Sequence, residues 1–596
     1  MSVTDNLNNL RKLMALEHID CYIVPTSDYH SSEYVGDYFR AREFLSGFTG
    51  SNGTLLVTSS HAALWTDGRY FLQAEEQLRG SGIELMRMRR PGVPTLHDYV
   101  ADTLEKDQTL AFDGRVFSVF EGKQLEEAAD KAGAHLRFDV DLVSLIWKNR
   151  PGLSCNPISV LSEEYTGCSA SNKLERIRLA MKEADCEHHI VTSLDDIAWI
   201  LNLRGSDVVC NPVFLSYLII NAEGGTLFVQ EAALDNDVKA YLDNLGIVIR
   251  PYDSIYEYVS GHDLKGHNIL IDKNRLNYML YSILKDNTVL KEEENPSVLM
   301  KACKNETEAE NLRKANIIDG VAMVRFLHWL DTNIGRIKIT EISAADKLEE
   351  FRSLGEGFVG ISFETIAGYN AHGAIIHYEA TPETDVELKP EGFLLVDSGG
   401  QYLRGTTDIT RTITLGPLSD IMRHHYTTVL RAHIDLAMAH FPEGVTGSTL
   451  DMLARTPFWA EDLDYEHGTG HGIGFYLNVH EPPVSIFWST QRKSCTTPLR
   501  EGMLLSDEPG IYIEDQYGIR IENDVMVVKG NKNVFGQFLQ FEPMTLCPYD
   551  LRPVIWEELN DAQIRFIDEY HAKVKEKLMP YLDDETAAWL EAATKH

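Results

Sequence analysis

The sequence has little positive charge and no long apolar run. Its 55 lysines and arginines stand against 90 aspartates and glutamates, which gives the 596 residues a formal net charge of −35. This surplus of negative charge argues against nucleic acid or an anionic membrane as a partner and favours solubility. Because no run reaches 18 apolar residues, the sequence predicts no membrane-spanning helix.

Cysteine is also scarce. The eight cysteines form no CxxC pair and no regular spacing, so they predict the reduced thiols of a cytoplasmic protein. Residues 1–14 lack the apolar core of a signal peptide. The GxSxG motif does not occur, which disfavours a serine hydrolase.

Hydrophobic periodicity divides the chain into three parts. Helical and strand-like patterns alternate over residues 1–155 and again, in a similar order, over 156–305. This alternation predicts two α/β domains that meet at the Pro/Gly break RPGLSC. A long helical pattern then opens a third part, residues 306–596. Its helical tail, about 548–596, is expected to pack on the outside of that part.

The stretch from 394 to 523 contains four carboxylates and one imidazole at the ends of strand-like runs or in Gly-rich loops, namely Asp397, Asp408, His471, Glu508 and Glu522. The first two acids close FLLVDSGG and open DITRTITL, with glycines between them. The two glutamates lie in GMLLSDEPG and GIRIENDVMVV, with 515–518 as a turn. The pattern predicts two hairpins, each carrying two acids at one end.

Four acids that share one pocket would raise one another's pKa values, so the pocket needs positive charge. One divalent ion neutralises about two carboxylates, and the set therefore suggests two ions. A donor set rich in oxygen with one nitrogen suits manganese, cobalt or zinc, and two ions can share and activate a water molecule. Taken singly, an aspartate beside glycine is usually a turn former, so the combination carries the hypothesis.

The histidines are harder to assign. Glycines alternate through HGTGHGIG, which excludes a helical pair formed by His467 and His471. His372 follows a turn and is expected to be exposed. His377 is predicted to lie on a strand, and its sequence surroundings leave core and site roles equally open. The histidines of the amphipathic helix 424–441 are expected to lie mostly on its polar face, away from any metal.

The motifs LLVDSGGQYLRGTTDITRT, HGTGHGIGFYLNVHE, DEPGIY and GIRIEN, with GAIIHY upstream, resemble those of the pita-bread metallopeptidases. The resemblance is greatest to the three-domain, cytosolic type of Xaa-Pro aminopeptidase (aminopeptidase P). It implies two related α/β N-terminal domains followed by an α+β pita-bread catalytic domain. It also implies a cytoplasmic homodimer that cleaves peptides with proline second. Two divalent ions are implied, with manganese ahead of zinc or cobalt.

The same resemblance implies the ligand set. Asp397 would hold one ion, His471 and Glu508 would complete the other, and Asp408 and Glu522 would bridge both. Glu508 would also be the general base on the bridging water.

Four further roles come from the resemblance. His467 and His480 would bracket the scissile amide and move a proton to the leaving nitrogen. His377 would bind the proline side of the substrate. Arg520 would orient Asp397 and contribute to the substrate pocket.

Three alternatives are disfavoured, because two domains are predicted before residue 306 and all five ligands are intact. A prolidase, which cleaves only dipeptides, has the same five ligands but usually one N-terminal domain. A creatine-hydrolysing relative lacks the metal ligands. A non-catalytic peptide-binding module on the same fold would carry a degenerate ligand set.

Overall fold

The computed structural model describes residues 2–261 and 264–596. The chain forms two compact units. The N-terminal unit comprises Met1–Leu161 with Cys168–Ser297, and the C-terminal unit comprises Ser162–Gly167 with Val298–His596.

The α-helices of the described chain are α1 (Val3–Leu16), α2 (Ala41–Ser46), α3 (Phe71–Gln77), α4 (Leu96–Thr103), α5 (Val119–Ala132), α6 (Leu142–Ile146), α7 (Glu163–Thr166), α8 (Ala170–Glu183), α9 (Leu194–Ile200), α10 (Asn236–Asn244), α11 (Ile255–Ser260), α12 (Tyr278–Leu284), α13 (Pro296–Ala302), α14 (Glu306–Asn333), α15 (Glu341–Ser353), α16 (Asp420–Ala437), α17 (Gly447–Trp459), α18 (Lys493–Thr496), α19 (Asp561–Leu578) and α20 (Asp584–Ala593). Among the residues that the structure describes, none of these helices combines the length and apolar character needed to cross a bilayer.

The strands of the N-terminal unit are β1 (Cys21–Pro25), β2 (Thr54–Thr58), β3 (Ala62–Thr66), β4 (Glu84–Arg87), β5 (Thr109–Phe112), β6 (His135–Arg137), β7 (Ser159–Val160), β8 (His188–Val191), β9 (Leu203–Arg204), β10 (Ser216–Asn221), β11 (Gly225–Val229), β12 (Ile247–Pro251), β13 (Asn268–Ile271) and β14 (Val289–Glu292). Twelve of them build two six-stranded sheets, ordered β4-β3-β2-β1-β5-β6 and β12-β11-β10-β8-β13-β14, and β7 pairs with β9. Position by position, both sheets have the same sequence of parallel and antiparallel pairs. The prediction of two related α/β layers is therefore confirmed.

The strands of the C-terminal unit are β15 (Phe358–Ile361), β16 (Ile366–Tyr369), β17 (Phe393–Ser398), β18 (Gly400–Tyr402), β19 (Gly405–Thr406), β20 (Ile409–Thr414), β21 (His440–Pro442), β22 (Gly470–Gly472), β23 (Glu481–Ile486), β24 (Leu504–Asp507), β25 (Gly510–Ile513), β26 (Tyr517–Arg520), β27 (Asn523–Asn533) and β28 (Gly536–Pro543). They form a six-stranded sheet, two three-stranded sheets and the hairpin β25-β26. Every pair of these strands is antiparallel.

The helix α14 begins as its sequence requires. Asn305 caps it, because its side chain accepts a hydrogen bond from the Glu308 amide while the Glu308 carboxylate accepts one from the Asn305 amide. This reciprocal capping satisfies two amides that have no partner within the helix. The core beyond it joins α16, α17 and α19 to the large sheet.

Three expectations about local structure were wrong. His377 lies in a turn after the 3₁₀-helix Asn370–Ala374, not on a strand. His372 is partly buried, with Nδ1 2.9 Å from a carboxylate oxygen of Glu341. His425 and His433 of α16 are buried, because sheet and tail cover the face that the sequence marks as polar.

The C-terminal tail is likewise more than an outer layer. Its Tyr549, Tyr570 and His571 are buried, and Tyr549 and Tyr570 belong to the main hydrophobic core of the C-terminal unit. Tertiary contacts decide the position of these residues, and helical periodicity alone does not show them.

Candidate active site

The first two acids lie at one end of the β17–β20 pair. Asp397, near the end of β17, pairs with Thr410 of β20, and Asp408 immediately precedes β20. Gly399 permits the connection, since a Cβ atom there would lie 1.9 Å from the Thr407 carbonyl oxygen. The glycines that signalled a turn in the sequence thus allow the backbone to close over itself, and the first predicted hairpin is confirmed.

The two glutamates flank the hairpin β25-β26. Glu508 lies two residues before its first strand, and Glu522 lies two residues after its second strand. The neighbouring strands β24 and β27 pair so that Asp507 faces Asn523, which brings the two glutamates to one edge. The Glu522 amide donates to the Thr410 carbonyl at 3.1 Å, so this edge abuts the first hairpin. The second predicted hairpin is confirmed.

His471 joins both pairs of acids. It lies on β22, and its amide donates to the Ser506 hydroxyl at 3.0 Å. Its Nε2 atom is 3.5 Å from Asp408 Oδ2 and 3.6 Å from Glu508 Oε1. One ligand atom each from Asp408, His471 and Glu522 lie within 4.8 Å of one another. Such spacing fits a single cation between them.

Asp397 offers a further oxygen to this cluster. Its Oδ2 atom accepts a hydrogen bond from Arg520 Nη2 at 2.7 Å. Its Oδ1 atom is buried and accepts no hydrogen bond from the residues that the structure describes. A buried oxygen without a donor is costly, and a bound cation would satisfy it. The donor set therefore fits divalent metal.

Electrostatics point the same way. Burial and the repulsion of neighbouring acids hold the pKa values of Asp408 and Glu522 well above the usual range. Burial also raises the pKa of Glu508 to about 7, although His471 and Arg520 oppose the rise. Bringing several carboxylates together in a buried site is unfavourable when the nearby arginine and histidine do not balance their charge. Such an arrangement is typical of a site that binds a cation.

His467 is held by hydrogen bonds at both ring nitrogens. Its Nε2 atom lies 2.7 Å from the Tyr512 hydroxyl, which in turn accepts a hydrogen bond from Arg520 Nη1 at 2.7 Å. Burial raises the pKa of Tyr512, so the hydroxyl stays protonated and donates to Nε2. Nδ1 then carries the proton and donates to the Gly468 carbonyl at 2.7 Å. Nδ1 is 3.9 Å from Glu508 Oε2.

The other two predicted histidines also lie beside this cluster. The ring of His480 meets that of His471 edge to face, with centroids 4.2 Å apart. His377 follows Ile376, whose carbonyl accepts a hydrogen bond from Arg520 Nη2 at 3.4 Å. The 3₁₀-helix before His377 packs closely against β26. Only glycine fits at position 518, because a Cβ atom there would lie 1.7 Å from the Gly373 carbonyl oxygen.

Three residues of the site were not predicted from the sequence. The Thr410 hydroxyl donates to Glu522 Oε2 at 2.7 Å, and Asp524 Oδ2 accepts from the Asp408 amide at 3.2 Å. Each lies two residues beyond a predicted ligand, so strand alternation could have identified both. Tyr512 carries no comparable signal, because its contacts depend on how its hairpin packs.

Comparison with known proteins agrees with this geometry. The model of the metallopeptidase family M24 matches residues 310–529. The chain is 40% identical to Xaa-Pro aminopeptidase 1 of Dictyostelium discoideum, over 98% of this chain and 94% of that protein. The chain belongs to metallopeptidase family M24.

Other parts of this M24 peptidase also have matches. Creatinase/prolidase N-terminal domains match residues 6–143 and 149–308, and the C-terminal region of peptidase M24 matches 537–596. Aminopeptidase P2 of Arabidopsis thaliana is 39% identical, over 99% of this chain and 88% of that protein.

A solved structure covers the whole molecule. It is the X-prolyl aminopeptidase of Caenorhabditis elegans, described as a cytosolic enzyme with a di-nuclear active site. It matches with a TM-score of 0.95 and 34% identity over 100% of both chains. The predicted fold class, two related α/β domains before a pita-bread domain, is confirmed.

Proposed function

We propose that this M24 peptidase is an Xaa-Pro aminopeptidase, which hydrolyses the bond between an N-terminal residue and a following proline. The observation that carries the proposal is the cluster of Asp408, His471 and Glu522, whose ligand atoms lie within 4.8 Å of one another, in a chain whose full-length relatives bear that name. The peptide bond before proline carries no N–H group. An ordinary aminopeptidase that binds its substrate through this N–H group therefore lacks that contact with an Xaa-Pro peptide.

Two divalent ions are proposed as cofactors, with manganese ahead of zinc or cobalt. The five residues that would hold them are Asp397, Asp408, His471, Glu508 and Glu522. When bound, the ions would supply an activated water molecule and polarise the scissile carbonyl. The C. elegans relative, described as di-nuclear, supports the number of ions.

The protein's own groups would carry the protons. Glu508 would accept a proton from the attacking water, because its carboxylate lies at the proposed metal position, with Oε1 3.6 Å from His471 Nε2. His467 and His480 would lie on either side of the scissile amide. Their N–H groups would stabilise the oxyanion and return a proton to the proline nitrogen, and for His467 this would require Nδ1–H to turn from the Gly468 carbonyl to the substrate. Arg520 would hold both Asp397 and Tyr512 in place through two charge-assisted contacts of 2.7 Å. His377 would contact the proline side of the substrate.

The test begins with metal-stripped protein and three substrates: an Xaa-Pro dipeptide, an Xaa-Pro-Xaa tripeptide and an Xaa-Ala tripeptide. Manganese, zinc or cobalt is added back in turn. We expect metal-dependent release of the first residue from the Xaa-Pro tripeptide. Cleavage of the dipeptide alone would make the chain a prolidase. No cleavage with any metal would favour the peptide-binding alternative.

Glu508→Ala tests the assigned base. We expect it to abolish hydrolysis and to leave circular dichroism unchanged. Glu461→Ala is the matched control, since Glu461 pairs with His424 at 2.8 Å and has no proposed role in catalysis. Near-normal turnover by Glu508→Ala would remove Glu508 from the mechanism.

Organisation and location are part of the proposal. We infer three domains, 1–155, 156–305 and 306–596, the last with an extension from about 548, and the family matches support boundaries near these positions. We also propose a cytoplasmic homodimer. The relative described as cytosolic supports the location. Sedimentation at twice 67.3 kDa would support the dimer.

A further inference from the structure

A chain of buried hydrogen bonds runs behind the two glutamates of the site. Asp507 precedes Glu508, Asn523 follows Glu522, and these neighbours face each other across β24 and β27. Asn523 Nδ2 donates to the hydroxyl of Tyr549, a residue of the C-terminal region, at 2.9 Å. The tail therefore reaches the edge of the sheet where the glutamates lie.

His433 continues the chain from Tyr549 to the other strand. The Tyr549 hydroxyl lies 2.9 Å from His433 Nε2, and His433 Nδ1 lies 3.1 Å from the Asp507 carbonyl oxygen. Because Asn523 donates to the Tyr549 oxygen, the hydroxyl hydrogen is free to point at Nε2, and Nδ1–H donates to the carbonyl. One unbroken chain thus joins the residues beside both glutamates, and all its members are buried.

Arg411 adds a second tie between the tail and the site. Its Nη1 donates to the Glu522 carbonyl at 2.6 Å, and its Nη2 donates to Asn523 Oδ1 at 2.8 Å. The same guanidinium donates to the carbonyls of Cys547 and Pro548 at 2.8 and 3.1 Å. The planar, rigid guanidinium thus joins these four acceptors through one group. The backbone of Glu522 is therefore coupled to the start of the tail.

Aromatic packing holds the tail at this position. Tyr549 stacks on Tyr570 of α19, with centroids 4.7 Å apart and planes at 25°. The Tyr570 hydroxyl accepts from Arg411 Nη2 at 3.2 Å and lies 3.0 Å from the Cys547 carbonyl oxygen. The hydroxyls of Tyr549 and Tyr570 thus supply hydrogen-bond partners to buried polar groups that water does not reach.

We propose that the C-terminal segment 547–571 is a positioning element of the metal site, in which the Tyr549 hydroxyl sets the separation of Glu508 and Glu522. The inference rests on the proposed dimetal function. Groups behind metal ligands commonly orient them, and here those groups come from the tail. His433 Nε2 and Asn523 Nδ2 are 3.3 Å apart. Without the Tyr549 hydroxyl, Asn523 Nδ2 would donate its hydrogen bond to His433 Nε2 instead, and the Asn523 side chain would shift towards His433.

The test compares Tyr549→Phe with Tyr22→Phe. Tyr22 is the matched control because it is buried and its hydroxyl makes two hydrogen bonds, to the Val140 carbonyl and from the Leu142 amide, in the other unit. The readouts are the affinity of the stripped protein for manganese, the visible spectrum of the cobalt-loaded protein, and kcat and KM on an Xaa-Pro tripeptide.

We expect Tyr549→Phe to lower metal affinity by about 10–100-fold, to change the cobalt spectrum, and to lower kcat more than it changes KM. Tyr22→Phe should keep the wild-type affinity and spectrum, even where it melts earlier. Wild-type affinity and spectrum in Tyr549→Phe would overturn the inference. Should that variant fail to fold, His433→Gln interrupts the same chain and must show the same spectral change.

The metal readouts also separate this inference from the proposed function. Wild-type protein that binds metal but cleaves no Xaa-Pro peptide would refute the function alone. The affinity difference between Tyr549→Phe and Tyr22→Phe would still decide whether the tail positions the glutamates.

Discussion

In the metal-free protein, Glu508 is a buried acid whose ionisation opposes folding. Burial is the largest cause, repulsion by Asp408 adds to it, and attraction by His471 and Arg520 opposes it. The net effect raises the pKa of Glu508 from 4.5 to about 7. Metal-free protein should therefore depend on pH in a way that metal-loaded protein does not.

The sign and size follow from proton linkage. Because the folded state binds the Glu508 proton more tightly than the unfolded chain, the resulting stability is fully present below pH 4.5 and is lost as the pH rises through about 7. Each pKa unit corresponds to about 1.4 kcal/mol, so this loss amounts to about 3 kcal/mol.

Glu508→Gln isolates this contribution, because glutamine is neutral at every pH. The assay is denaturant unfolding of EDTA-treated wild type and variant at several pH values. We expect the free energy of unfolding of wild type minus that of Glu508→Gln to fall by about 3 kcal/mol between pH 4 and 8. Saturating manganese should remove this fall, because a bound cation keeps the carboxylate ionised. A difference that is flat or rises with pH would refute the argument.

The remaining predictions concern three other buried groups. Burial lowers the pKa of His571 to about 3, so between pH 7 and 5 only the unfolded chain takes up a proton there. The free energy of unfolding of wild type should therefore fall by about 2 kcal/mol relative to that of His571→Gln over this range. Denaturant unfolding with equal pH slopes for the two proteins would contradict this. Arg520→Met should lower kcat/KM on an Xaa-Pro tripeptide roughly 10–100-fold, because Asp397 loses its charge-assisted partner. Arg520→Lys should retain part of the activity that Arg520→Met loses. An unchanged kcat/KM in Arg520→Met would count against the orienting role. Thr410→Val should weaken manganese binding about tenfold in calorimetry, because the hydroxyl that donates to Glu522 is removed. Thr410→Ser keeps a hydroxyl and should bind manganese with wild-type affinity. Equal weakening in both variants would show that the hydroxyl is not the cause.

The acids of the site could be predicted because their signals are local. Asp397 and Asp408 flank a glycine turn between two apolar runs, and the register of β17 with β20 follows from that turn. Glu508 and Glu522 flank a second turn in the same way. Short-range pattern therefore fixes the strands and places the carboxylates at their ends.

The supporting residues could not be found in this way. Tyr549 and His433 are 116 positions apart, and only the folded sheet brings the hydroxyl to 2.9 Å from the ring. His433 was expected on a polar helix face, but the tail covers that face and buries it. His377 lies in a turn whose course depends on the contact of Gly518 with Gly373. Such long-range packing leaves no periodic trace in the sequence.

The most direct test of the account is the metal titration of peptide hydrolysis. Stripped protein receives increasing manganese while release of the first residue from an Xaa-Pro-Xaa tripeptide is measured, with an Xaa-Ala-Xaa tripeptide alongside. The account predicts no release without metal, full release only after two equivalents per chain, and no release from the alanine peptide. Full activity in metal-free protein, or equal cleavage of both peptides, would contradict it.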